Sequence, residues 1–219
     1  MRISINLSIN KIVRVLILSD FIILFAVGLF APIFAIFITK QIQGGNLEVI
    51  GLAATTYWIV RALTTVPLSR YMDRTDGERD EFYFMFIGSI LLSIIPLLFI
   101  ASSKPWHIYI LQAINGLVNS MAVPGWRILF TNHIDKGKVG YEWSVEDVAI
   151  GTGTALSAYI GSIIATNFGF NTLFIIVSIM GLAGSFILLP IYRSTHTLKE
   201  MRRIHKERFQ SLSEINDLK

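Results

Sequence analysis

The stretch Val148 to Tyr192 reads VAIGTGTALSAYIGSIIATNFGFNTLFIIVSIMGLAGSFILLPIY and contains no charged residue. A helix crossing the hydrocarbon core of a bilayer needs roughly 20 apolar residues. This run is long enough for two such helices, and Asn167, Gly169 and Asn171 supply a polar turn between them. Its apolar residues are continuous rather than alternating, so the pattern belongs to helices and not to the strands of a β-barrel.

The same pattern extends toward the N-terminus. Asp20 is the only charge between Arg14 and Lys40, Arg61 the only one between Glu48 and Arg70, and Arg127 the only one between Lys104 and Asp135. None lies between Glu81 and Lys104. These gaps predict an all-α integral membrane protein with six transmembrane helices, near 15–39, 47–71, 82–102, 106–131, 143–167 and 170–192. The first apolar run exceeds the roughly 7–15 residues of a signal-peptide core, and no clear small-x-small cleavage site follows it.

Composition agrees. Only 16% of the 219 residues are charged, against about 25% in an ordinary soluble domain. Hydrophobic residues make up 53% and the mean hydropathy is +0.59. Such a chain cannot cover its apolar surface as a soluble enzyme, a disordered protein or a secreted disulfide scaffold would. With no cysteine, thiol nucleophiles and thiolate metal sites are excluded. The net charge of +4 raises the question of nucleic acid, but the positions of the charges assign it to the membrane instead. With the N-terminus in the cytoplasm, 15 of 19 basic residues fall on the inner side and only Lys40 and Lys104 on the outer. Both termini are then cytoplasmic. Trp106 and Tyr109 suit the outer interface; Tyr71, Tyr83, Tyr141, Trp143 and Tyr192 suit the inner one. Residues 193–219 form a basic tail of helical period, read either as a solvated helix or as one lying on the anionic inner leaflet.

The loop after the second span reads Ser69-Arg-Tyr-Met-Asp73-Arg74-Thr-Asp76-Gly77-Glu78-Arg79. It resembles the cytoplasmic loop motif of the major facilitator superfamily: a small residue, Asp-Arg, Gly, then basic residues. Ser69 stands where the family has Gly, one extra residue separates Arg74 from Gly77, and Glu78 replaces a basic residue. Asn115-Gly116 with Pro124 resembles the family's fourth helix, and Gly161-Ser162 through Phe174 its fifth-to-sixth turn. Gln112 stands where the fourth helix often carries Arg. Ser157-Ala158 stand where antiporters often carry Gly-Pro, so proton-coupled drug antiport is not implied. The resemblance covers nearly the whole chain to Tyr192. It implies a six-helix bundle equivalent to one half of a transporter, in which two halves enclose a mid-membrane substrate site. Ser69, Asp73, Arg74, Gly77 and Arg79 would then form the inner-gate loop.

Polar residues inside the spans are the candidates for a solute path, because each charge costs roughly 2.5–3.5 kcal/mol at a helix centre. Asp20 and Arg127 lie at similar depths, about 8 and 6 Å from the inner boundary, and Arg61 lies about 15 Å in. Asp20 and Arg127 are read either as a fixed ion pair or as path residues. Gln112, Asn115 and Asn119 form a polar stripe on one face, continued by Trp126, and Trp58 sits one turn before Arg61. Gly153, Ser157 and Gly161, with Gly181 and Ser185, read as small-residue packing ladders. Glu146 and Asp147 read as acids capping the fifth helix, with an inner gate against Arg74 or Arg127 as the other reading. His107 and His133 lack a second ligand at metal spacing, and no phosphate loop or catalytic set is recognisable. No cofactor or metal is expected.

The expected function is secondary, non-ATP transport of a small solute, with or without a coupling ion, by a homodimer or with a second six-helix half. The competing expectation is a non-transporting membrane subunit or scaffold of the same fold, acting through its basic tail. The lipid bilayer is the common partner; nucleic acid is not.

Overall fold

The computed structural model describes residues 8–74 and 77–195. The basic tail beyond Thr195 and two positions of the loop motif, Thr75 and Asp76, lie outside the described residues.

Helix α1 (Lys11–Phe30) starts where the Asn10 side chain accepts the Ile12 amide at 2.9 Å. Pro32 sits in a 3-10 turn, Ala31–Ile33, after which the chain continues as α2 (Phe34–Gln41). Helix α3 (Leu47–Met72) is capped by the Asn46 side chain on the Val49 amide at 2.9 Å. Helix α4 spans Arg79–Ile100, and α5 spans Pro105–His133 with proline at its first position, where no amide is needed. His107 folds back so that its Nδ1 accepts the amides of Ser103 and Lys104, at 3.1 and 3.2 Å. Helix α6 (Val139–Ile187) is broken at Gly169, whose φ of 82° and ψ of 170° are open to little but glycine. Its two arms, 139–168 and 170–187, bring the helical rods of the bundle to six. A 3-10 turn, Leu189–Ser194, closes the described chain.

Among the described residues, four stretches are long and apolar enough to cross a membrane: Lys11–Gln41, Leu47–Met72, Arg79–Ile100 and Val139–Ser194. The last contains both arms of α6. Helix α5 has the length but not the hydropathy, because its polar stripe dilutes it. The bundle is apolar outside, and a set of polar side chains is buried within it. Leu63, Val66, Val148, Tyr159 and Phe168 are each more than 60% exposed, while Ser19, Ser93, Ser120, Ser157, Ser178, Ser185, Glu142 and Glu146 are buried. Water would penalise that outer face; lipid tails accept it.

Small residues set the helix contacts, as expected where van der Waals approach replaces the hydrophobic effect. Helix α1 lies along α6: Gly28 faces the Ser157 hydroxyl, Gly161 faces the Leu29 backbone, and Gly153 accommodates the Phe21 ring. Ser19 Oγ donates to the Gly184 carbonyl at 2.8 Å. Gly181 meets Ser93 of α4, and Ser185 lies 3.5 Å from the same hydroxyl. Gly116 holds α5 against α3 so closely that a Cβ there would stand 2.5 Å from the Tyr57 carbonyl oxygen. Two apolar clusters close the ends. One joins Val13, Leu16, Phe82, Met85, Leu129, Phe130, Leu188 and Ile191; the other joins Phe37, Val49, Phe99, Ile108 and Phe174.

Candidate functional site: a polar cavity between the helices

Between the two clusters lies a cavity of about 700 Å³. Asp20, Arg61, Gln112, Asn115, Asn119, Trp126 and Arg127, all singled out from the sequence, line it. They come from three helices that the chain separates widely, and small-residue packing brings them to one place.

Trp58 is the exception. It is absent from the lining and 61% exposed. Tyr57 occupies the expected position instead, because residues 57 and 61 share a helix face while residue 58 is rotated by about 100°. The Arg61 guanidinium donates through Nη1 to the Tyr57 hydroxyl at 2.6 Å. Its centre lies 5.7 Å from the Tyr57 ring and 5.2 Å from the Trp58 ring. Trp58 therefore carries the cation from behind, by cation–π attraction, rather than lining the space. No carboxylate pairs with Arg61 among the described residues.

The amide stripe is a hydrogen-bonded chain. Asn119 Nδ2 donates to Asn115 Oδ1 at 2.9 Å, and Asn115 Nδ2 donates to Gln112 Oε1 at 3.1 Å. Beside it, Ser120 joins α5 to α3: its hydroxyl lies 3.2 Å from the Arg61 carbonyl and receives a bond from Thr64 at 2.8 Å. Trp126 stacks on Phe130 with ring centroids 4.6 Å apart. Its indole N–H is buried without a hydrogen-bond partner among the described residues.

Asp20 and Arg127 do not form the expected ion pair among the described residues; both line the cavity together with Glu146. Glu146 is not a helix cap. Helix α6 begins at Val139, so Glu146 sits two turns inside it, buried and facing the cavity. The expected start near Trp143 was late because the polar run before it reads as a loop, although its amides join the helix.

The loop motif forms the turn between α3 and α4. Ser69 Oγ donates to the Thr65 carbonyl, and its own carbonyl receives the Asp73 amide at 2.9 Å. Asp73 and Arg74 are exposed. Gly77 takes a φ of 78°. Arg79 then starts α4 with its guanidinium 5.3 Å from the Tyr192 ring centroid. Glu78 lies 3.9 Å from the His133 imidazole at the end of α5. The loop is thus tied to the 3-10 turn after α6 and to α5.

An apolar exterior, a helical bundle and a charged internal cavity define an integral, multi-pass membrane protein of all-α build. The bundle corresponds to one half of a transporter-type fold. Residues 16–218 match the family model of the Major Facilitator Superfamily, and the chain belongs to that family. It is 28% identical over 191 residues to the multidrug resistance protein MdtG of Dickeya zeae, covering 84% of this chain and 45% of that protein. It is 26% identical over 199 residues to MdtG of Escherichia fergusonii, covering 88% and 45%. It is 24% identical over 139 residues to the membrane sensor protein UhpC of Salmonella typhimurium, covering 64% and 30%. The chain spans less than half the length of these relatives.

Proposed function

We propose that this chain forms one half of a secondary transporter that moves a small solute by alternating access, with a homodimeric copy or a second six-helix segment supplying the other half. The observation that carries the reading is the cavity: charged and amide side chains from α1, α3, α5 and α6 face one space inside a bundle whose exterior is apolar. Such groups are costly in a membrane unless they meet water or a solute. Family membership and the relatives named as multidrug resistance proteins support it. In this reading all six rods span the bilayer, both termini face the cytoplasm, and the Ser69–Arg79 loop is the inner gate. Asp20, Arg61, Gln112, Asn115, Asn119, Trp126 and Arg127 line the path.

The test is solute flux into proteoliposomes across a chemically diverse panel, with Arg61→Ala as the comparison. Flux should fall at least about tenfold for the carried solute, since charge-assisted hydrogen bonds contribute roughly 1.5–3 kcal/mol. Unchanged flux removes Arg61 from the path. One relative bears the name of a membrane sensor, which favours a non-transporting subunit acting through the basic tail as the second reading. Deleting the tail separates the two: transport should survive the deletion, whereas scaffolding should not.

A further inference from the structure

The polar groups of the cavity are unequally satisfied. Its two acids, Asp20 and Glu146, line it together with Arg127. The amides of Asn115 and Asn119 bond along the stripe. Two lining donors stand out, Arg61 and Trp126. Arg61 has an aromatic hydroxyl and two ring faces but no carboxylate. Trp126 has a buried N–H with no acceptor. Asn119, between them in the sequence, shares their cavity wall. The remaining lining is largely apolar, including Phe30, Phe34 and Phe99. A buried donor left unpaired costs about 1–3 kcal/mol, and an unpaired guanidinium away from water costs more. What Arg61 lacks is an acceptor with negative charge.

We propose that the cavity binds an organic anion, a carboxylate or phosphate on a mainly apolar body, with the anionic group on Arg61 and a further acceptor within reach of Trp126. The guanidinium suits this role because its planar fork matches both anions, and stacking on Tyr57 and Trp58 fixes its orientation before the ligand arrives. Neutral analogues would leave the cation unanswered; cationic ones would oppose it. That the anion is cargo rests on the transport reading above. That it binds does not.

The experiment measures binding of radiolabelled benzoate to the purified chain in nanodiscs of phosphatidylcholine, with unlabelled benzoate, benzamide and benzamidinium as competitors. These probes share a ring and differ in charge. Benzoate should compete at least about tenfold better than benzamide, and benzamidinium should not compete. Arg61→Gln should lower benzoate affinity at least about tenfold, and Arg61→Lys should restore part of it. Equal or better competition by benzamide or benzamidinium overturns the proposal, as does unchanged benzoate affinity in a monodisperse Arg61→Gln protein. If that variant does not fold, the charge series on the unaltered chain decides alone. A second arm adds phosphatidylglycerol to the nanodiscs. Displacement of benzoate by that lipid would make a lipid headgroup the occupant and overturn the assignment to a solute. Benzoate binding without flux in proteoliposomes would refute transport and leave the anion site standing; flux of solutes regardless of charge would do the reverse.

Discussion

At the scale of single residues, the buried place of Glu146 makes a testable prediction. Its side chain shares the cavity with Asp20 and Arg127. Glu146→Ala takes that polar head away from its neighbours. The expected loss is about 1–3 kcal/mol, the cost of leaving a polar group unsatisfied. Glu146→Gln keeps a polar head in place and should cost markedly less. Thermal unfolding in nanodiscs would compare the two; equal losses would mean that the polar head contributes nothing. The sequence exposed Asp20, Arg61 and Arg127 because a charge in an apolar run is conspicuous. It named Glu146 with Asp147 as a capping acid or as one approaching Arg74 or Arg127, and gave no sign that Glu146 shares the cavity with Asp20. Tyr57 was hidden, since an aromatic in a membrane span carries no signal until its face is known.

At the scale of elements, the small residues matter more than the large ones. Gly116→Val would drive a branched side chain into the α3 backbone at residues 57–61. Overpacking of this kind costs typically 1–3 kcal/mol. It should lower the unfolding temperature and detach the wall that carries Arg61, so that ligand affinity falls with stability. Gly169→Ala should cost a similar amount for another reason: its backbone geometry, not its surroundings, demands glycine. Nothing lies within 4 Å of a Cβ built there, so a loss much below 1 kcal/mol would show that the turn can relax. These ladders were legible as small-xxx-small spacing in α6. Their partners were not, because spacing identifies a face without saying which helix it meets. Glycines such as Gly28 and Gly88 stand outside any ladder and became meaningful only opposite Ser157 and Ala122.

For the molecule as a whole, the all-helical membrane class of the fold followed from charge gaps, since lipid imposes one demand on every span. The interior did not, because six similar rods can be arranged in many ways. The prediction at this scale concerns assembly. In the two-half reading proposed above, a second bundle closes the cavity in alternation, so native-like nanodiscs should yield a mass of two six-helix units, or this chain with a copurifying partner. A strictly monomeric mass over a wide concentration range would refute the two-half reading.

The close approach at Gly116 has a mechanical consequence. Helix α3 packs chiefly on α5, and its backbone comes nearest to that helix around residues 57–61, close to the middle of its length. From there its two ends extend about 18–20 Å in opposite directions, at 1.5 Å per residue. A rod held near its midpoint behaves as a balanced lever. Tilting it by about 10° would swing each end by about 3 Å, one toward the bundle axis and the other away. In the alternating-access reading the Asn46 end and the Asp73 end would be geared in antiphase, the same small rotation that brings one toward the bundle axis carrying the other away.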